Sequence, residues 1–269
     1  MKESMVMHFV KYHGTGNDFI LIDDRGEVWQ SRLDRETIAH LCHRRFGIGA
    51  DGLMLLQNHP ELDFRMVYFN SDGRESSMCG NGGRCISAFA RRLGIGGDML
   101  RFEAIDGVHQ SAFLEEKVQL KMGKPRDLRQ MSPDTYWLHT GSPHFVGFEQ
   151  GNIQDFPVFE RGKAIRHDTA YEGIGGTNAN FVQVIEDNTL FVRTFERGVE
   201  DETFSCGTGV TAAAYAYLSQ KAQTQKLEDV AIQTLGGELT VTIEDFGTEG
   251  ERVYLQGPAT FVFEGEMEI

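Results

Sequence analysis

The sequence predicts a mixed α/β fold of the α+β kind, built as two similar halves. Three observations point there. Short strand-forming runs far outnumber helical ones. Only a few segments carry apolar residues at helical spacing. Two of those helices open alike, one on Cys79-Gly-Asn-Gly82 and the other on Cys206-Gly-Thr-Gly209.

Along the chain, strands are predicted at Met7–Tyr12, Phe19–Asp23, Leu53–Gln57, Phe64–Phe69, Met99–Ile105, Val108–Leu114, Phe181–Ile185, Leu190–Thr194, Glu238–Ile243, Val253–Gln256 and Ala259–Phe263. They are rich in β-branched, aromatic and large apolar residues and are bounded by Gly, Asp and Asn. Ile105-Asp-Gly-Val108 reads as a tight hairpin. A helix is predicted over Asp34–Arg45, with Ile38, Leu41 and Cys42 on one face, Asp34 as N-cap and Gly47 as stop. A second spans Gly80–Leu93 and a third Thr208–Leu218, each with its apolar residues at helical spacing. The approaches to these two also match. Tyr68-Phe69-Asn70 leads through a turn to Cys79, and Thr194-Phe195-Glu196-Arg197 leads through a turn to Cys206. A second echo pairs Gly16-Asn17-Asp18-Phe19 with Asn178-Ala179-Asn180-Phe181. Repeats so far apart predict two halves rather than a solenoid, with the join near Gly123-Lys-Pro125.

Composition bounds the function. The formal net charge of −14 makes a surface that repels nucleic acid and anionic membranes, while leaving room for a basic pocket around a small anion. No apolar run approaches the length of a membrane span. The stretch Met1–Tyr12 reads as a first strand and not as a signal peptide, so a cytoplasmic protein with reduced thiols is expected. Cys42, Cys79, Cys85 and Cys206 are too few for a disulfide framework in a chain of 269 residues.

A cysteine at the start of a helix has a physical advantage. Unpaired amide N–H groups and the helix dipole favour negative charge there, so the thiolate is stabilised and the thiol becomes a usable base. Neighbouring glycines let a ligand approach the backbone, and the same N–H groups can bind a carboxylate. One such turn is weak evidence, because Cys is often a buried small hydrophobe. Two, in repeated halves, suggest thiols that face each other across one cleft. A redox pair usually sits close in sequence, as Cys-x-x-Cys, and a zinc site needs more ligands at suitable spacings. Two-base proton transfer needs one base on each face of a carbon acid, which similar halves supply directly.

The sequence resembles the diaminopimelate epimerases, in ordered blocks along nearly the whole chain. These are His13-Gly-Thr-Gly-Asn-Asp-Phe19, Arg45-Phe-Gly-Ile-Gly-Ala-Asp-Gly52, Phe69-Asn-Ser-Asp-Gly73, Met78-Cys-Gly-Asn-Gly-Gly-Arg84, Gly141-Ser-Pro-His144, Thr177-Asn178 and Phe195-Glu-Arg-Gly198 ahead of Ser205-Cys-Gly-Thr-Gly209. The resemblance implies an isomerase that interconverts LL- and meso-diaminopimelate, in lysine and peptidoglycan-precursor biosynthesis, without pyridoxal phosphate, metal or other cofactor. It implies two pseudo-symmetric domains, each a curved, mostly antiparallel sheet around a central helix, with the active site between them. Here these would be residues 1–124, joined by a C-terminal strand over 257–269, and residues 125–256. Cys79 and Cys206 would be the two bases. Gly80, Asn81, Gly207 and Thr208 would hold the α-carboxylate, and Asn17, Asn70, Asn178 and Arg197 the distal amino and carboxyl groups. His144 and Glu196 would hold the reacting amino group or assist the thiols. For Arg197 the residue chemistry agrees, since a guanidinium suits bidentate carboxylate binding. Two departures stand out. Ser142 replaces the Asn of many members, which would leave that contact to water. The Arg197–Cys206 turn is about one residue longer than in common members, so Glu200-Asp201-Glu202 is expected to bulge.

Other readings are weaker. Gly47-Ile-Gly-Ala-Asp-Gly52 matches a dinucleotide fingerprint, but a helix precedes it and a strand follows, the reverse of the required context. His40, Cys42 and His43 do not converge as metal ligands at their helical spacing. Cys85 reads as packing. Asn17, Asn70 and Asn178 would pass for turn residues without the resemblance. A proline-racemase-like enzyme would keep the chemistry and change the substrate, whereas Arg197 and the asparagines favour a polar distal end. A phenazine-pathway isomerase of the same fold would lack the paired cysteines. A non-catalytic redox or binding protein would show no deuterium exchange at Cα. The oligomeric state is left open, with a homodimer the assembly to test.

Overall fold

In the computed structural model the described residues are 4–221 and 227–269. The chain divides into two compact units, Met1–Leu120 with Pro258–Ile269, and Lys121–Gly257. In the first unit, β1 (Val6–Gly14) and β2 (Asn17–Asp23) form an antiparallel hairpin whose loop residues Thr15 and Gly16 both take positive φ. After α1 (Arg35–Cys42), β3 (Gly52–Gln57) lies parallel to β2, and β4 (Phe64–Asn70) runs antiparallel to β3. After α2 (Gly80–Arg92), β5 (Met99–Ala104) lies parallel to β4, and β6 (Gly107–Leu114) and β7 (Lys117–Met122) follow as antiparallel hairpins.

The second unit repeats this plan. β8 (Arg126–Ser132), β9 (Thr135–His139) and β10 (Pro143–Phe148) run antiparallel in turn. After α3 (Val158–Arg166), β11 (Asn178–Glu186) lies parallel to β10, and β12 (Thr189–Glu196) is antiparallel to β11. The short β13 (Asp201–Thr203) folds back on the end of β12. After α4 (Gly207–Gln220), β14 (Leu227–Thr234) lies parallel to β12, and β15 (Gly237–Glu244) and β16 (Arg252–Gly257) complete the run antiparallel. The last strand, β17 (Thr260–Glu268), pairs with β1 in the first unit, as β8 pairs with β9 in the second. Strand for strand, β1 to β4 correspond to β9 to β12, α2 to α4, and β5 to β7 to β14 to β16. No helix among the described residues is long and apolar enough to cross a membrane.

This equivalence confirms one echo and corrects the other. Phe69-Asn70 and Phe195-Glu196 do end equivalent strands, since Gly52 lies opposite Asn70 and Ala179 opposite Phe195. Asn17 and Asn178 are not equivalent. Asn17 opens β2, whose counterpart β10 opens at Pro143, whereas Asn178 opens β11, the counterpart of β3. Both short motifs lead into apolar strands, so sequence similarity alone matched the wrong pair.

The local chemistry of each helix sets where it starts and stops. Asp34 caps α1 by accepting from the Thr37 amide at 2.9 Å. The helix stops at Cys42, short of the predicted Arg45. The His43 ring nitrogen Nδ1 accepts the Arg45 and Phe46 amides, and the Gly49 and Ala50 amides return to the Leu41 and Cys42 carbonyls. Gly49 sits at φ +80°, where glycine is free of strain, and the glycine-rich stretch closes the helix. Helix α3 escaped the sequence reading because it buries only Val158 and Gly162, too little for a helical stripe.

The two central helices are enclosed. Nearly every residue of α2 from Gly80 to Ala90 is buried, and α4 is buried on all sides from Gly209 to Ala214. In the first unit Ile20, Ile22, Leu53 and Leu55 pack with Ile38 and Leu41 of α1. Phe19 and Met54, on the opposite face, meet Gly82 of α2. Gly82 and Gly209 let the helix starts lie against the strands. An added Cβ at Gly82 would come 2.4 Å from the Met54 methyl, and one at Gly209 would come 2.4 Å from Asn180 Oδ1. The methyl end of Met54 can swing aside, whereas the Asn180 amide is fixed by hydrogen bonds. Gly209→Ala should therefore destabilise by about 1–3 kcal/mol, the usual cost of overpacking, and Gly82→Ala by less. Urea unfolding measures both, and the reverse order would mean that α4 does not pack as closely as described.

Candidate active site

Each unit offers a cysteine at the first turn of its central helix. In the first, Cys79 is the N-cap of α2 in extended conformation (φ −106°, ψ 153°), and its Sγ accepts from the Gly82 amide at 3.2 Å. Asn17, at the start of β2, donates through Nδ2 to Asp51 Oδ2 at 2.6 Å. A carboxylate here only accepts, so this contact orients the amide and turns Asn17 Oδ1 to Cys79 Sγ, 4.0 Å away. Asp51 and Asp18 are bound by Arg44, and Asp18 also by Lys11 at 2.8 Å. Burial works to raise the Asp18 carboxyl, but hydrogen bonds from Arg44 and Lys11 outweigh it and hold the group at about 2.

Behind the helix start lies Arg84, fully buried. It donates to the carbonyls of Gly80 (3.2 Å) and Pro258 (3.3 Å), to Thr15 Oγ1 and to Asn81 Oδ1 at 2.9 Å. Among the described residues no carboxylate lies within ion-pair distance of it. Desolvation alone lowers its pKa to about 10, so it remains a cation, set into the wall behind the amides that open α2. Asn70 ends β4 in a turn, its amide donating to the Arg74 carbonyl and its own carbonyl accepting from Gly73.

In the second unit Cys206 is the N-cap of α4, with its carbonyl accepting from the Val210 amide. Its Sγ lies 3.5 Å from Thr208 Oγ1, which lies 3.0 Å from Nε2 of His144. Ser142 Oγ joins the same knot, 2.9 Å from His144 Nε2, 3.3 Å from Thr208 Oγ1 and 3.2 Å from Asn178 Nδ2. The shorter Ser142 side chain therefore makes protein contacts of its own. Asn178 also donates to the Pro143 carbonyl and accepts the Arg197 amide at 2.8 Å. The Arg197 guanidinium reaches the Ile174 carbonyl at 3.3 Å, and among the described residues no carboxylate pairs with it. Glu196 accepts from Thr203 Oγ1 at 3.0 Å. The longer turn is ordered, with Gly198 and Glu200 at positive φ and Glu200 held by Arg166 before β13 begins.

The predicted site residues thus divide between the units, Asn17, Asn70, Cys79, Gly80 and Asn81 in the first and His144, Asn178, Glu196, Arg197, Cys206, Gly207 and Thr208 in the second. Sequence reasoning missed Asp51, Arg84 and Asn180 as members of these networks. Asn180 was within reach, because two residues along a strand from Asn178 is the same face. The other two cysteines are in different surroundings. Burial pushes the Cys42 thiol up to about 12 and the Cys85 thiol higher still.

A family model described as diaminopimelate epimerase matches residues 9–128 and 136–262. The chain belongs to the diaminopimelate epimerase family. The diaminopimelate epimerase of Flavobacterium psychrophilum is 44% identical over 258 residues, covering 96% of this chain and 99% of that protein. That of Aquifex aeolicus is 39% identical, with 97% and 98% covered. Among solved structures, a phenazine biosynthesis protein of the PhzF family from Bacillus anthracis superposes with TM-score 0.78 at 16% identity, covering 98% of this chain and all of that one. A hydroxyproline epimerase from Agrobacterium vitis gives 0.69 at 12% identity, with 98% and 93% covered. At such identities these two structures speak for the fold alone.

His144 supplies a pH test of the second-unit network. Burial above all, with the charges of His139 and Arg197, lowers its pKa to about 3, from about 6.5 in an unfolded chain. Above about pH 6.5 both states are neutral at this site, and its contribution to stability is complete. Below it the unfolded chain takes up a proton that the folded one refuses. Stability then falls by up to about 1.4 kcal/mol per pH unit until about pH 3. Urea unfolding of His144→Gln between pH 7 and 4 should show a shallower acid loss than the unsubstituted protein. Equal slopes would mean that His144 is not buried in neutral form.

Proposed function

We propose that this family member epimerises diaminopimelate between its LL and meso forms by a two-base reaction, with Cys79 and Cys206 as the bases. The observation that carries this is the repetition of one device. Each half places a cysteine as N-cap of its buried central helix, beside glycines that put no side chain over the first turn. Removing an α-proton from an amino acid leaves charge on an enolate-like carboxylate. Helix N-termini with oriented N–H groups are suited to stabilise that charge. Inversion then needs a base on one face of Cα and an acid on the other, and a thiolate and thiol exchange these roles when the reaction reverses. No electron sink enters this scheme beyond the amides and the buried charge of Arg84.

In this reading Gly80, Asn81, Gly207 and Thr208 hold the α-carboxylate, and Asn17, Asn70, Asn178 and Arg197 hold the distal amino acid group. Asn17 is pre-oriented by Asp51, and Asn178 by Pro143 and the Arg197 amide. Arg197, without a carboxylate partner among the described residues, is the natural receptor for the distal carboxylate. His144 and Glu196 act as polar neighbours of the reacting centre. Working thiols suit a reducing compartment, so the protein is assigned to the cytoplasm. A homodimer is supported by β17, where Phe261, Val262 and Phe263 are left partly exposed.

Incubation with LL-diaminopimelate in deuterated water tests substrate and chemistry together. The meso isomer should appear, labelled at one Cα. Lysine, which lacks the distal carboxylate, should lose about 2–5 kcal/mol of transition-state binding, a fall in kcat/KM of roughly 30-fold to several thousandfold. Turnover of lysine or proline with none of diaminopimelate would overturn the substrate assignment.

A further inference from the structure

The hydrogen bonds around His144 determine which of its nitrogens carries the proton. Asn180 lies on β11, two residues after Asn178. Its Nδ2 is 2.7 Å from the carbonyl oxygen of Phe145. A carbonyl only accepts, so this end of the side chain is the NH2 group, and Oδ1 faces the Thr194 hydroxyl at 2.9 Å. The second hydrogen of Nδ2 is directed at His144 Nδ1, 3.1 Å away. Nδ1 therefore presents its lone pair, and a neutral imidazole must carry its proton on Nε2.

The consequence runs outward through two further atoms. The Nε2–H has Ser142 Oγ at 2.9 Å and Thr208 Oγ1 at 3.0 Å. Thr208 Oγ1, accepting from Nε2, has its own hydrogen left to donate, and Cys206 Sγ lies 3.5 Å away. Thr140 fixes the same residue from behind by donating to the Thr208 carbonyl at 2.8 Å. We propose that Asn180 is a positioning residue that locks His144 as a neutral Nε2–H donor. Through Thr208 this lock aims a hydroxyl hydrogen at Cys206 and favours its thiolate. The proposal rests on Cys206 being one of the two bases. It makes His144 a donor and not a proton acceptor, and it gives Asn180 a role in the reaction without contact to the reacting atoms.

The charged surroundings agree. The imidazole is fully buried, and the ionisable groups that bear on it, His139 on β9 and Arg197 after β12, both oppose its protonation. The first turn of α4 holds no acidic residue that would oppose a thiolate there. Glu196, at the end of β12, has one carboxylate oxygen engaged by Thr203. Gly209 is part of the same arrangement, because any larger residue there would press on Asn180 Oδ1.

Nitrogen NMR of protein labelled with [15N]histidine, with His144→Gln as the assignment control, reads the tautomer directly. The His144 Nε2 should be protonated and Nδ1 unprotonated from pH 5 to 9. In Asn180→Asp the carboxylate accepts from Nδ1–H, and the tautomer should reverse. With Cys79 replaced by Ala, the pH midpoint for alkylation of Cys206 by iodoacetamide should then rise by about one to two units, the worth of a hydrogen bond to a charged group. The Cys79 midpoint in a Cys206→Ala background should not move. With both cysteines present, Asn180→Asp should lower kcat about tenfold or more with KM unchanged. Should Asn180→Asp fail to fold, Thr208→Val should raise the Cys206 midpoint in the same way and Thr208→Ser should restore it. A proton on Nδ1 in the unsubstituted protein, or an unmoved Cys206 midpoint in the folded variants, overturns the proposal. If Cys206→Ala still epimerises while the tautomer is as described, the two-base reading fails and the lock itself stands.

Discussion

The structure depends on holding a helix N-terminus, whose first amides have no carbonyl partner one turn earlier, inside the protein and against the ends of strands. Exposed, those amides would be satisfied by water. Buried, they need other partners, and they concentrate positive potential where a sulfur or a carboxylate can use it. The glycines at Gly82 and Gly209 make the close approach possible, because a Cβ at either would strike what lies beneath. Within each unit a parallel strand pair, β2 with β3 in the first and β10 with β11 in the second, brings an asparagine and its partners to one edge. What each unit contributes to the chemistry follows from how it satisfies that buried helix start.

The two units solve the same problem with different groups. In the first, Cys79 Sγ itself accepts a helix amide, and a buried arginine, with no carboxylate partner among the described residues, stands behind the turn. In the second, Cys206 makes no such cap hydrogen bond, and its sulfur instead neighbours a hydroxyl backed by a neutral imidazole and an amide. Burying a guanidinium costs several kcal/mol unless it is well bonded. Arg84 meets that cost with four hydrogen bonds to neutral oxygens, which leaves its charge uncancelled near Cys79. The halves share a fold and differ in electrostatics.

Much of this was legible in the sequence. The eleven predicted strands each coincide with an observed one, Met99–Ile105 and Ala259–Phe263 overrunning by one residue, because alternation, β-branched residues and turn residues agree there, whereas β7, β8, β9, β10, β13 and β14 were not predicted. α2 and α4 were legible from apolar spacing, and their starts from the repeated Cys-Gly-x-Gly. Of the strands not predicted, β8 left no pattern, since Arg126–Ser132 is exposed throughout and carries no buried face. α3 was hidden for the same reason. The false match of Asn17 with Asn178 shows the limit of short motifs, because only pairing partners identify equivalent strands. At the site, cysteines and glycines announce themselves by type and spacing. Asp51, Arg84 and Asn180 act by orienting other side chains, and that role depends on distances that a sequence does not carry.

The central claim is that each cysteine serves one face of the same carbon. Hydrogen exchange at Cα in the two single variants tests it most directly. Each isomer, LL and meso, is incubated in deuterated water with Cys79→Ala or with Cys206→Ala. Each variant should lose net epimerisation and retain exchange, with unchanged configuration, in only one isomer, and the two variants should choose opposite isomers. Exchange of both isomers by one variant, or net epimerisation by either, would contradict the account.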